Sequence, residues 1–358
     1  MWNNNTKKGQ KYAIILNERY WGFIVYLGGE GMFEELVDIK ENNIKQFDYE
    51  LLNILLKDMT TGKNILWGTD NYINHGFTYS PQKEMYVEAI TGYNGNIIKP
   101  RTKKGKIEQI KRSRDKAEVF TPSWVCNKQN NTIDNAWFNR EDVFNKEKEY
   151  SWITSKDKII FNDRSWQEYV NELRLEVTCG EAPYLVSRYD TTTGDVIPVI
   201  DRIGLLDRKM RIVNENTNDY ESWLEWTEKA YKSVYGFEWQ GDNLLIAREN
   251  LLYTFADNYM YKFNKKPTAE DVKKIAIIIT YNIFQMDGTK FVIPYSCKNE
   301  TFIQQTLFGE KVEEHECLGC KRNNHNLHNG VYVKIMNWET NRKIKFVSVL
   351  NRSGKNEK

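Results

Sequence analysis

The sequence predicts an α/β fold, with strands and helices alternating around a parallel sheet and a small α+β module ahead of it. Three observations carry this. After residue 117, short apolar runs alternate with segments of helical spacing, the pattern of a parallel sheet covered by helices. The chain has 358 residues, 40% of them apolar, enough for about two domains and a core that needs no disulfides. The aromatic share is 13%, with 11 Trp and 21 Tyr, which excludes wholesale disorder.

In chain order, residues 1–98 form the expected α+β module. Residues 12–16 and 21–27 read as strands around a turn at 17–19. Residues 34–59 carry helical spacing, with Leu51, Leu52, Leu55 and Leu56 on one face, ended by Thr60-Thr61-Gly62. Residues 65–67 and 86–90 read as further strands. Residues 99–116 form a basic connector, with Lys99, Arg101, Lys103, Lys104, Lys106, Lys111, Arg112, Arg114 and Lys116 against two acidic residues. Residues 117–310 hold the alternating domain. Its expected strands are 173–178, 234–238 and 281–284. Its expected helices are 223–233, then 242–255 with Asp242 as N-cap, then 268–279 with Thr268 as cap and Glu270 and Asp271 in the first turn. Residues 311–358 hold a Cys/His loop and two late strands, 331–336 and 344–350.

The charges nearly cancel, 51 basic against 49 acidic, so any nucleic-acid footprint is local. No apolar run reaches the length of a membrane span, and the N-terminus lacks the apolar segment of a signal peptide. The expectation is a cytoplasmic protein with no membrane partner, whose five cysteines are thiols or metal ligands.

Four patches suit ligand binding at the edge of an α/β sheet. Glu118-Val119-Phe120-Thr121-Pro122 has Pro122 positioned to start a helix. Leu175-Glu176-Val177-Thr178-Cys179-Gly180-Glu181-Ala182 is a strand followed by a glycine turn, where backbone can approach a ligand. Val234-Tyr235-Gly236-Phe237-Glu238 ends a strand in an acid, which can accept hydrogen bonds from ribose hydroxyls. Asn282-Ile283-Phe284-Gln285-Met286-Asp287-Gly288 ends another in Asp-Gly. Taken singly, each also reads as an ordinary turn or helix start.

Taken in order, these residues resemble the N6-adenine DNA methyltransferases, the modification subunits of restriction–modification systems. Glu118–Pro122 is similar to that family's opening cofactor motif, and residues 175–182 to its glycine motif. Tyr235–Glu238 with the following Ala247-Arg248-Glu249-Asn250-Leu251-Leu252 resembles the second motif, and 282–288 the third. The resemblance covers about half the chain. It implies a Rossmann-like methyltransferase sheet, incomplete at the C-terminus. It also implies S-adenosylmethionine held by Phe120, Thr121, Pro122, Glu176, Cys179, Gly180, Glu238 and Asp287. The basic connector (Lys99, Arg101, Lys103, Lys104, Lys106, Lys111, Arg112 and Arg114) would contact double-stranded DNA, and a second restriction–modification subunit would be a partner.

The chain departs from the family at two points. Ala182 stands where a second glycine is usual, followed by Pro183. The catalytic Asn/Asp-Pro-Pro-aromatic motif is missing, because all seven prolines are isolated. The strand at 344–350 would deliver that loop, and Asn351 sits where the catalytic Asn would be. The resemblance therefore implies an atypical catalyst, half of a split enzyme, or a catalytically silent relative. A non-enzymatic DNA-binding protein on the same scaffold is the alternative from another class.

A separate patch is His315-Glu316-Cys317-Leu318-Gly319-Cys320, continuing to His325 and His328. Three of the chain's four histidines lie here with two of its five cysteines. Cys-x2-Cys makes a metal knuckle, and thiolate with imidazole suits structural Zn²⁺. The expected ligands are Cys317, Cys320, His325 and His328. A polar surface loop is the plainer reading of the same residues, and a zinc-containing restriction endonuclease the remote one.

Overall fold

The computed structural model describes residues 37–306 and 309–349. The expected strands at 12–16 and 21–27, the start of the 34–59 helix, and Asn351 lie outside these residues.

Three short parallel strands organise the mixed α/β fold. Arg174–Glu176 pairs with Val234–Glu238, which pairs with Ile283–Gln285; Arg174 lies opposite Val234, and Gly236 opposite Ile283. All three expected strands are thus neighbours. Parallel neighbours need crossovers, and helices supply them. Leu205–Asn216 and Tyr220–Lys232 connect the first strand to the second; Gly241–Phe263 and Ala269–Asn282 connect the second to the third. Local chemistry sets their starts. Asp219 accepts from the Ser222 N–H at 2.8 Å, and Thr268 accepts from the Asp271 N–H at 3.2 Å, each satisfying an orphan donor of the first turn.

The helix at Gly241–Phe263 departs from expectation. Asp242 does not cap it; Gln240 is the N-cap residue, and its side chain makes no capping bond. Nor does the helix stop at 255. Most of its residues are buried around the whole circumference, which marks a central helix rather than a surface one.

The N-terminal residues also differ in detail. The helix expected over 34–59 is two, Glu41–Phe47 and Tyr49–Leu56, broken at Asp48, whose extended backbone lets its carboxylate cap Glu50 N–H at 2.8 Å. Residues 65–67 form no named strand and make only a bridge from Leu66 to Glu84. Val87–Ile90 is a short helix instead of a strand. Leu51, Leu52, Leu55, Trp67 and Met85 pack in the same core as Leu244, Ile275 and Ile279.

The basic connector is folded: a 3-10 turn at Arg101–Lys103 and a helix at Lys106–Lys116. Two of its cations point inward. Arg112 Nη1 lies 2.7 Å from Asp242 Oδ2 and 3.1 Å from Glu118 Oε2, and its Nε lies 3.1 Å from Glu108. Lys104 Nζ lies 3.6 Å from the same Asp242 oxygen, and Tyr72 Oη donates to it at 2.8 Å. Asn243 adds a bond to Glu118 at 3.1 Å. This explains why Asp242 does not cap its helix: burial without these cations would be prohibitive. Arg112 and Lys104 hold the carboxylate of Asp242 well below the usual range, against the opposing effect of burial.

Residues 331–336 and 344–350 were expected as strands, the latter carrying a sheet-edge loop. The observed strands, Lys334–Asn337 and Arg342–Lys345, pair antiparallel with each other and stay apart from the parallel sheet. Phe346, Val333 and Ile335, from and beside this hairpin, pack with Phe237 and Phe284 on one sheet face. Leu173, Leu175 and Val177 are exposed along the edge strand. No helix among the described residues is long and apolar enough to cross a membrane.

Removing one member of a buried ion pair strands the other charge, at a cost of about 3–5 kcal/mol. Arg112→Ala is therefore expected to lower the urea unfolding midpoint by that equivalent. Lys106→Ala, on an exposed residue of the same helix, should shift it by less than about 0.5 kcal/mol.

Candidate functional site

Two features meet at the end of the sheet. The first is a group of four metal-ligating side chains, Cys297, Cys317, Cys320 and His328, whose ligand atoms all lie within 4.8 Å of one another. His328 Nδ1 is 3.6 Å from Cys297 Sγ, 3.7 Å from Cys317 Sγ and 3.6 Å from Cys320 Sγ. Tetrahedral Zn²⁺ with ordinary Zn–S and Zn–N bonds sets sulfur and nitrogen about 3.6 Å apart. The four side chains are therefore spaced to hold a metal ion such as zinc.

Local backbone explains this convergence. Cys317 precedes a one-turn helix, Leu318–Arg322, which carries Cys320 back toward it. Gly319 is required there: a Cβ would come 2.5 Å from His328 N and 2.6 Å from its Nδ1. Asn329 ties the pieces together. Its backbone N–H donates to Cys317 Sγ at 3.3 Å, and its side chain bonds both the N–H and the carbonyl of Lys298, beside Cys297. Tyr332 Oη accepts from His328 N–H at 3.0 Å and donates to the His325 carbonyl at 2.9 Å.

The expected ligand set is corrected at one position. Cys317, Cys320 and His328 converge, but the His325 ring packs edge-on against Phe291, with centroids 5.7 Å apart. Cys297 takes its place. It lies twenty positions before Cys317, separated by the antiparallel hairpin of Glu300–Thr306 and Gly309–His315. The only sequence signal was a further cysteine within reach of a polar hairpin. His315 lies on that hairpin, 3.4 Å from Glu313.

The thiols show what a cation would relieve. Burial pushes Cys317 up, but the N–H groups of Asn329, Cys320 and Gly319 and the imidazole of His328 bring it down to about 6. Burial and the two neighbouring sulfurs push Cys297 up to about 12. Three adjacent sulfurs cannot all ionise unaided, whereas a bound divalent cation deprotonates them. All five cysteines are free; Cys126 and Cys179 are buried elsewhere.

The second feature is the edge of the sheet. Gly180, at φ +53°, lets the turn after the first strand double back. Its N–H donates to Glu238 Oε2 at 2.9 Å, across the strand ends. Glu238 Oε1 accepts from Trp239 N–H at 2.9 Å and Gln240 N–H at 3.0 Å. Oε2 thus keeps one acceptor position. Burial raises the carboxyl of Glu238, opposed by these three N–H groups. A Cβ on Gly180 would sit 3.5 Å from the Phe120 ring, so Phe120, Gly180 and Glu238 are contiguous. Arg101 lies over the other part of that ring, 5.4 Å from its centroid.

The remaining predicted residues divide. Pro122 is the N-cap of the helix Ser123–Phe138, just before its first turn, and the Thr121 carbonyl accepts from Thr191 Oγ1 at 3.1 Å. Cys179 is buried, its sulfur 3.3 Å from where a Cβ on Gly236 would be, beneath the turn rather than on its open side. Glu176 turns inward and accepts from Tyr184 and Leu185 N–H at 3.3 and 3.1 Å. Burial pushes it up to about 8. Asp287 opens the loop after the third strand. Its Oδ1 accepts from Thr289 N–H and Oγ1 and from Lys290 N–H, and its Oδ2 faces Lys290 Nζ at 3.8 Å.

Asp287 also lines a cavity of about 300 Å³ with Trp239, Lys290, Tyr295, Cys297 and Cys320. That volume is at the lower end of the range for small-molecule sites. Both strand-end acids, Glu238 and Asp287, are buried, and of the two Asp287 lines this cavity. Of the connector's cations, Lys103, Lys106, Lys111 and Arg114 are exposed and Lys99 and Arg101 half-buried, while Lys104 and Arg112 are buried in the Asp242 network and removed from phosphate contact.

Comparison of the chain with protein-family models, curated proteins and solved structures gave no match in any of the three.

The geometry makes metal uptake depend on Cys297 and not on His325. Cys297→Ser and His328→Ala are expected to lose stoichiometric metal, and His325→Ala to retain it, as measured by elemental analysis of protein purified without chelator.

Proposed function

We propose that the chain is an S-adenosylmethionine-binding protein of the adenine-N6 DNA methyltransferase type, belonging to a restriction–modification system and carrying a structural zinc. One observation carries the reading. The glycine turn after the first strand bonds the acid that ends the second, and the acid beyond the third strand lines a cavity at the same edge. Ligands of open α/β sheets bind outside the carboxyl ends of the strands.

In this reading Phe120 and the Gly180 turn hold the amino-acid end of the cofactor. Glu238 Oε2 accepts from the ribose, and Trp239 and Asp287 bound the adenine. The cofactor supplies an electrophilic methyl group when bound. Glu176, Cys179, Thr121 and Pro122 shape the turn and the neighbouring helix start from behind. The sequence has no Pro-Pro, so the usual group that prepares a target adenine is assigned to a second subunit. That favours half of a split enzyme, or a cofactor-binding relative, over a self-sufficient catalyst. Zinc held by Cys297, Cys317, Cys320 and His328 would have four protein ligands and no open position, which makes its role structural.

Calorimetric titration with S-adenosylmethionine tests the cofactor. Saturable binding is expected, weakened by Glu238→Gln and Asp287→Asn. No heat at millimolar cofactor would leave the non-enzymatic reading.

DNA is the proposed partner through Lys103, Lys106, Lys111 and Arg114. Each phosphate contact contributes about 0.9 to the slope of log affinity against log salt. Changing these four to Gln should weaken duplex binding and flatten the slope by about that amount per lost contact. An unchanged slope would mean that this face is merely solvated.

A further inference from the structure

The cavity at the sheet edge has two walls of different origin. On one side Trp239 and Tyr295 meet edge to face, with centroids 5.3 Å apart. Both are pinned by one acceptor: Trp239 Nε1 and Tyr295 Oη each donate to the Gly68 carbonyl at 2.7 Å. Trp239 follows the second strand, whereas Tyr295 lies on the loop that leads to Cys297, so the Gly68 carbonyl ties that loop to the strand end. The sulfur-bearing residues Cys297, Cys317 and Cys320 line the same cavity.

The loop from Asp287 to Cys297 joins the two sides. It starts at the end of the third strand and finishes on a metal ligand. Its backbone is laced to the other ligand segment: Ile293 N–H donates to the Val331 carbonyl at 2.8 Å, Val333 N–H to the Phe291 carbonyl at 3.1 Å, and Val331 N–H to Ser296 Oγ at 3.0 Å. Lys290 spans the gap at the level of the cavity. Its ammonium lies 3.8 Å from the Asp287 carboxylate, and Lys290 and Cys320 line the cavity together.

We propose that the Cys297–Cys317–Cys320–His328 centre is the movable wall of the sheet-edge cavity, so that metal occupancy sets the position of Asp287 and the affinity for a nucleoside ligand there. The ligand part rests on the cofactor reading above; the mechanical part does not. Without metal, four ligands from two segments lose their common bond, and the polar loop between them has little apolar material to hold it. Lys290 is a positioning residue, standing between the Asp287 carboxylate and the cysteine-lined part of the cavity. Linkage makes the coupling reciprocal: metal tightens ligand, and ligand tightens metal.

The test uses the full chain, zinc-loaded, then stripped with chelator, then reloaded. Hydrogen exchange is followed by mass spectrometry. On metal loss, exchange is expected to rise in 287–299 together with 316–329, stay unchanged in the central helix Gly241–Phe263, and recover with Zn²⁺. A rise confined to 316–329 would overturn the proposal. Lys290→Met covers the case in which stripped protein unfolds: it should keep its zinc yet loosen 287–292, and an unchanged 287–292 would overturn the proposal equally. S-adenosylmethionine is then titrated into loaded and stripped protein, with an expected loss of about 5- to 150-fold. Equal affinity in both would overturn the coupling. Coupled exchange in a loaded protein that binds no S-adenosylmethionine would support the mechanical part and remove only the cofactor reading.

Discussion

Asp242 is the fixed point of this fold. A carboxylate with a 1% exposed side chain is tolerable only because Arg112, Lys104 and Tyr72 converge on one of its oxygens. Those partners come from two separate stretches, the N-terminal residues and the basic connector, and Glu118 extends the set toward Phe120. The N-terminal residues, the basic connector and the central helix are thereby held in register. Everything at the sheet edge inherits that placement: the central helix follows directly from Glu238 and Trp239, and Gly68, a few residues from Tyr72, pins the cavity rings.

The same constraint explains what was and was not legible in the residues. Local signals read well. Three apolar runs became three adjacent parallel strands, and Thr268 capped its helix, because strand alternation and end-capping are decided within a few positions. Asp242 followed by a helical run has the pattern of a cap, and only partners 130 and 170 positions away make it an ion-pair acceptor instead. Arg112 and Lys104 looked like parts of a basic surface for the same reason. Charge runs report composition, and burial is set by tertiary neighbours. At 86–90 the β-branched and aromatic residues suggested a strand, and a four-residue helix formed where Val87 and Ile90 both reach the core.

The metal centre shows the limit from another direction. Cys317 and Cys320 announced themselves through knuckle spacing, which is local. Cys297 did not, because a hairpin separates it from its fellow ligands, and hairpins bring together residues that are distant in the chain. His325 has the right chemistry and a plausible spacing but is committed to Phe291. Asn329, which bonds both Cys317 and the backbone beside Cys297, carries no signal as an isolated asparagine.

The position of the four ligands in the chain has a consequence for biogenesis. All of them follow the third strand, and the last is His328. Domains emerge from the ribosome N-terminal end first. The sheet, the Asp242 network and the pinned ring pair are therefore synthesised before any sulfur of the centre exists. A metal held by these four ligands would close the molecule from the C-terminal side, after the surface it closes against has been made. A cell short of the metal would accumulate chains with a formed sheet and an unfinished edge, rather than chains that never fold.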